Sequence, residues 1–328
     1  MPRKVADSVI VITGASTGIG RASALKLARL GATVVVTSRR EDVLHALAGR
    51  CERLGGKALA IAADVTDQEA IQSLTRRVIE KFGRIDVWVN NAAVTLFARF
   101  EQAPLEAFRR VIETNFFGYV HGARAVLPYF REQGNGILIN IASGVGKIGS
   151  PYISAYAASK SAVIGLSSSL RMELQDAPGI RVCTVLPAAI DTPLYQHAAN
   201  FTGRAVKPIA PIYQPEDVAR ALVRLVRHPR REVVVGKAAK AGLFIHTVAP
   251  NLTESVFAKR VEREHFQDRP APRSEGNLFN AMNRYDDVSG GWGETVGKPR
   301  PRRRAVLGAA LLGTGLGFLL ARMTSRND

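Results

Sequence analysis

The chain has 328 residues, 46% hydrophobic and 22% charged, which suits one large folded domain with an extension and excludes wholesale disorder, collagen and a polytopic membrane protein. Two cysteines, Cys51 and Cys183, cannot build a disulfide framework and offer no C-x-x-C metal pair, so a reducing compartment is the default. The net charge of +17 is spread without a zinc finger, an RNA-binding aromatic signature or a long basic block, so nucleic acid is not an expected partner.

The first eight residues lead straight into Val9–Ile12, an apolar run too short for a signal peptide, so the amino-terminal domain is expected to stay in the cytoplasm. Val9–Ile12, Thr33–Thr37, Ala58–Ala62, Val87–Val89, Ile137–Ile141, Val182–Leu186 and Glu232–Val235 read as seven short strands, rich in Val and Ile. Between them, Arg21–Leu30, Asp42–Leu54, Gln68–Phe82, Leu105–Phe130, Ala155–Gln175 and Pro215–His228 carry apolar residues at a spacing near 3.6. This alternation predicts an α/β fold. Its centre is a doubly wound, Rossmann-like parallel sheet of seven strands with helices on both faces, and ligands bind at the strands' carboxyl ends. Residues 1–240 form the expected sheet domain, which its motifs mark as dinucleotide-binding and catalytic. Ala238–Val248 and Leu252–Phe266 read as amphipathic helices opening an extension and linker over 241–301. Within it, Gln267–Pro301 is rich in Pro, Gly and charge, with isolated anchors at Leu278-Phe279 and Trp292.

Thr13-Gly-Ala-Ser-Thr-Gly-Ile-Gly20 follows the first strand and opens a helix. Glycines at 14, 18 and 20 allow a tight turn against a pyrophosphate, with Ser16 and Ile19 beside it and amide donors at the helix start. The next strand ends in Thr37-Ser38-Arg39-Arg40, with no acid to hold a ribose 2′-hydroxyl. Arg39 instead suits a 2′-phosphate, so NADP(H) is the expected cofactor. Asp64-Val65 follows the third strand and reads either as an adenine contact or, for Asp64, as a helix cap.

Tyr156 and Lys160 are four apart, hence on one helix face, and Ser143 lies thirteen residues before Tyr156 at a strand end. A nearby ammonium is expected to lower the tyrosine pKa from its usual value of about 10 and make it a general acid or base. Ser143 can hydrogen-bond a substrate oxygen. His121, His197 and His246 have no metal-like spacing, and no metal is expected.

With Thr-Gly-x-x-x-Gly-x-Gly at 13–20, Asn90-Asn91-Ala92-Ala93, Asn115, Ser143 and Tyr156-Ala-Ala-Ser-Lys160 in order, the sequence resembles the short-chain dehydrogenase/reductase family over roughly residues 5–240. Two positions depart from the family pattern: Ala93 and Ala188 stand where glycine is usual. The resemblance implies a catalytic set of Asn115, Ser143, Tyr156 and Lys160. Lys160 would also bond the nicotinamide ribose, Asn115 would hold a relay water, and Asn91 would belong to the cofactor site. It further implies that Ile190 and Thr192 bind the carboxamide. Phe97, Phe100, Pro193–Tyr195, His197, Phe201 and Tyr213 fall at the family's substrate lips, which suggests a hydrophobic carbonyl or alcohol substrate or, for some of them, packing beneath the loop.

Ala305–Ala321 is 17 residues without a charge, preceded by Arg302–Arg304. It covers roughly 26 Å as a helix, the lower limit for a bilayer span, so 302–328 reads as a basic flank and transmembrane helix with the enzyme on the cytoplasmic side. A buried or oligomer-contact helix is the competing reading. Ala305, Ala309, Gly313, Gly317 and Ala321 recur every four residues, a stripe suited to self-association, and a homo-oligomer is expected. The sum is an NADP(H)-dependent oxidoreductase tethered to a membrane. The alternatives are a non-catalytic nucleotide-binding membrane scaffold, or a soluble NAD-linked alcohol dehydrogenase whose tail mediates oligomerisation.

Overall fold

The computed structural model describes residues 3–295. Eleven strands occur among them: β1 (Val9–Thr13), β2 (Thr33–Ser38), β3 (Lys57–Ala62), β4 (Val87–Asn90), β5 (Leu96–Phe97), β6 (Gly136–Ile141), β7 (Ile180–Pro187), β8 (Ala199–Asn200), β9 (Arg204–Val206), β10 (Glu232–Val235) and β11 (Phe266–Pro270). Seven of them make one sheet in the order β10-β7-β6-β4-β1-β2-β3, and every neighbouring pair is parallel. These are the seven strands read from the sequence.

The sheet is covered on both sides because each strand is apolar on both faces. Ile10, Ile12, Val34, Val36, Val87 and Val89 face one core, completed by the helices Gly18–Ala28, Glu41–Arg53 and Pro215–Arg227. Their neighbours Val9, Val11, Val35 and Trp88 face the other, against the helices Gln68–Phe82 and Gly118–Glu132. Asp67 caps the first of these by accepting from Ala70 N at 3.0 Å.

Chain order places β2 and β3 on one side of β1, then returns to lay β4, β6, β7 and β10 on the other. The reversal between β1 and β4 opens a crevice at their carboxyl ends, where ligands bind in such sheets. The glycine-rich turn, the loop after β4 and the segment after β7 all emerge there.

The single helical stretch expected over 105–130 is divided. Leu105–Ile112 and Gly118–Glu132 are α-helical, but Glu113–Phe117 between them is a π-turn. Such turns gather at functional sites, and this one carries Asn115. Beyond the sheet, the helices Lys237–Val248 and Pro250–Glu264 lie close to the expected positions. The short strands went unseen: β11 pairs with β9, and β5 with β8. Residues 271–292 then run back over the crevice, and the described chain through Trp292 forms one compact unit.

Candidate active site

The turn after β1 is built to leave space for a ligand. Asn91 holds it from behind, its Nδ2 donating to Thr13 O at 2.9 Å and Gly14 O at 3.0 Å, and its backbone N to Thr13 Oγ1 at 2.9 Å. A Cβ at Gly20 would lie 2.3 Å from Gly14 O and 2.7 Å from Asn91 Nδ2, so only glycine lets the helix start this close to the strand. Gly14, Ser16, Gly18 and Ile19 line a cavity of about 460 Å³, and Arg39, Asp64, Val65, Asn91, Ile190 and Thr192 line the same cavity. Gly20 sits behind the wall, where its role is the close approach. This cradle fits a dinucleotide.

Ser143, Tyr156 and Lys160 line that cavity as well. Ser143 follows β6, and Tyr156 and Lys160 project from one face of the helix Ser154–Glu173. Lys160 is 1% exposed, and its Nζ donates to Ile141 O at 2.9 Å and Tyr119 Oη at 3.1 Å. It lies 5.5 Å from the centre of the Tyr156 ring. Tyr119, absent from the sequence reading, in turn donates to Ile141 O at 3.0 Å. No motif marks it; its reach depends on the packing of two helices.

The electrostatics correct the expectation for Tyr156. Burial pushes its hydroxyl up to about 12, only partly opposed by its hydrogen bond with Ser143. Burial also pushes Lys160 down to about 7. Proximity of an ammonium suggests a lowered tyrosine, but burial sets the direction for both groups. Tyr156 is therefore a stored proton.

Asn115 lies in the π-turn, fully buried, behind the cavity rather than on its wall. Its Oδ1 accepts from Val94 N at 2.8 Å, and its Nδ2 donates to Val94 O at 2.9 Å and Ser159 Oγ at 3.0 Å. Every polar atom of the side chain is spent fixing the loop after β4 to the catalytic helix.

Asp64 does not cap the helix that follows, which Asp67 does; it closes a local turn by accepting from Thr66 N at 3.0 Å and Thr66 Oγ1 at 2.9 Å. It also pairs with Arg110 at 2.9 Å. Arg39 is not a free fork. Its Nη2 donates to Asn277 O at 2.7 Å, and its Nη1 to Phe279 O at 3.2 Å and Leu278 O at 3.3 Å. Arg40 is paired with the carboxylates of Asp42 and Asp286.

The substrate end is largely apolar. Phe97, Leu194, Tyr195, Ile209, Leu243 and Phe257 line it. His197 lines the cavity too, its Nε2 bonded to Arg284 O at 2.8 Å. Of the other expected lips, Phe100 is exposed against Phe108, and Tyr213 accepts from Ala238 N at 2.9 Å outside the cavity. Leu243, Phe257 and His265 come from the extension, beyond the part of the chain whose motifs are readable. Among the described residues no group of His, Cys, Asp or Glu could hold a metal ion.

Residues 8–202 match the family model described as short chain dehydrogenase. This chain belongs to the short-chain dehydrogenase family. It is an oxidoreductase of that family, as the resemblance implied. It is 37% identical over 284 residues to the uncharacterized oxidoreductase YxnA of Bacillus subtilis, covering 85% of this chain and 80% of that protein. It is 36% identical over 225 residues to the 3-oxoacyl-[acyl-carrier-protein] reductase FabG of Thermotoga maritima, covering 68% and 91%. A short-chain dehydrogenase from Streptomyces avermitilis superposes with a TM-score of 0.67 at 31% identity, over 78% of this chain and 98% of that one. An alcohol dehydrogenase from Thermococcus sibiricus, solved with 5-hydroxy-NADP, gives 0.61 at 30% identity over 69% and 95%.

One departure from the short-chain dehydrogenase pattern has a local explanation. The methyl of Ala188 fits because residue 236 is glycine: a Cβ there would lie 2.7 Å from Ala188 Cβ. Gly236 also has φ +110°, a conformation other residues avoid.

Proposed function

We propose that this chain transfers hydride between NADP(H) and the carbonyl or alcohol carbon of a hydrophobic substrate. The observation that carries this reading is a single cavity lined by the glycine-rich turn and by Ser143, Tyr156 and Lys160. A bound nicotinamide supplies or accepts the hydride. In reduction, Tyr156 donates its proton to the substrate oxygen, and Ser143 donates a hydrogen bond to the same oxygen. Lys160, steadied by Tyr119 and Ile141, stabilises the phenolate left behind. The apolar far end of the cavity favours a hydrophobic substrate. Purified protein offered aldehydes, ketones and lipid-derived carbonyls with NADPH, or sterols with NADP⁺, should change NADPH absorbance with at least one of them.

The choice of NADP(H) rests on the end of β2. Arg40 is neutralised by carboxylates, whereas Arg39 is held by neutral carbonyls and keeps its charge. The Thermococcus sibiricus neighbour with its NADP analogue supports the same reading. NADPH should bind more tightly than NADH. Ser38→Asp with Arg39→Ala should reverse the order, since a charged hydrogen bond contributes about 1.5–3 kcal/mol, roughly 10- to 100-fold in affinity. Titration of both reduced cofactors decides it, and tighter NADH binding by the wild type refutes the assignment.

The apolar run Ala305–Ala321 lies outside the described residues, and among the described residues no helix is long and apolar enough to cross a membrane. We propose that 302–328 anchors the protein with its catalytic domain cytoplasmic. Full-length protein should sediment with membranes, and deletion of 302–328 should release active enzyme. Recovery of the full chain in the supernatant without detergent would refute the anchor.

A further inference from the structure

The extension does more than follow the catalytic domain. From Asn277 to Trp292 it touches the crevice at every point where the dinucleotide is proposed to lie. At the adenosine end, the carbonyls of Asn277, Leu278 and Phe279 accept from Arg39, and Leu278 O also accepts from Arg110 Nε at 3.0 Å. Leu278 is fully buried and fixes this end. Over the glycine-rich turn, Gly18 N donates to Asp287 O at 3.0 Å. At the nicotinamide end, buried Asp191 accepts from Ser289 Oγ at 2.7 Å, Trp292 N at 2.9 Å and Gly290 N at 3.0 Å. Trp292 Nε1 donates to Thr192 O at 3.2 Å. Asn277, Ala281, Met282 and Asp286 line the same cavity as Gly14 and Ile19.

One atom in this segment is unexplained by the protein alone. Asn277 Oδ1 is buried and has no hydrogen-bond partner among the described residues. Leaving a buried polar atom unmade is costly, so such an atom on a cavity wall marks a ligand contact. Its own backbone carbonyl accepts from Arg39, the residue proposed to meet a 2′-phosphate, and Asn277 lines the same cavity.

We propose that Asn277–Trp292 is a strap across the bound dinucleotide, with Asn277 a specificity-determining residue at its adenosine end. This rests on the reading that the cavity holds NADP(H). The strap ties both ends of the crevice together, so the cofactor leaves only when the Asp191 end lifts. The Asn277 amide contacts the 2′ substituent.

Two measurements test this. Asn277→Asp places a carboxylate beside a 2′-phosphate without removing a contact inside the protein. NADPH affinity should fall at least tenfold more than NADH affinity, each followed by cofactor fluorescence. Equal changes in the two, or none, would overturn the role of Asn277, since a merely structural effect moves both alike. Asp191→Ala removes three strap bonds, and NADPH chased from it by excess NADP⁺ should leave at least tenfold faster than from wild type. An unchanged release rate overturns the strap. If that variant does not fold, amide hydrogen exchange of 277–292 in the wild type decides: NADPH should slow it, and exchange indifferent to NADPH overturns the strap. Failure of the wild type to bind either dinucleotide would overturn the cofactor reading together with this one.

Discussion

Tyr156→Phe should lower turnover of a verified substrate by about 10²–10⁴-fold while leaving cofactor affinity and the fold nearly unchanged. The substitution removes one oxygen. The ring remains packed against Ala155, Phe97 and Ile153 and their neighbours, so no cavity opens. What is lost is the hydrogen bond with Ser143, about 1 kcal/mol of stability, and the proton proposed to pass to the substrate oxygen. Burial pushes that hydroxyl up to about 12, so it is protonated at neutral pH, the form from which it can donate. Retention of more than a few per cent of the wild-type rate would show that another group is the proton donor.

The second large effect concerns stability. Lys160 is held at about 7 in the folded chain against 10.5 ordinarily, because a buried ammonium has lost its water. Between those two values the unfolded chain binds more protons than the folded one, so this residue makes stability rise with pH from about 7 towards 10.5. Below 7 the burial penalty is present in full. It is worth a few kcal/mol, since one pKa unit is about 1.4 kcal/mol. Lys160→Met fills the same space without a charge. It should abolish turnover and yet melt at a higher temperature than wild type at pH 6. The advantage should shrink by pH 9, where the native lysine is already neutral. Two lost hydrogen bonds to Tyr119 and Ile141 offset part of the gain, so the change in the gap with pH is the decisive quantity. Thermal melts of the two cofactor-free proteins at both pH values check it. A gap independent of pH would mean that Lys160 is folded as a solvated cation.

The outcomes at Tyr156 and Lys160 show where reading residues in order succeeds and where it stops. Their spacing placed them on one helix face, and the structure keeps them there. The sign of the tyrosine shift went the other way. A pair of charges is visible in a sequence, but the water excluded around it is not. For Asn115, the position in a long helical stretch is legible in the sequence, but the π-turn and the three side-chain bonds to Val94 and Ser159 are not.

The sequence by itself determined the alternation of strands and helices, the two-faced burial of Val9 to Ile12, the glycine-rich turn at 13–20 and the absence of an acid at positions 37–40. Each of these is written in residues close together, where periodicity of 2 or 3.6 and single-glycine geometry act directly. Even Leu278, Phe279 and Trp292 stood out as apolar anchors in a polar stretch. What they anchor to was decided only by the tertiary structure. Arg39 meets Asn277 from 238 residues away, and Asp191 meets Trp292 from 101. Contacts of that kind leave no local pattern, because what selects them is the shape of the assembled crevice and the need to satisfy every polar group it buries.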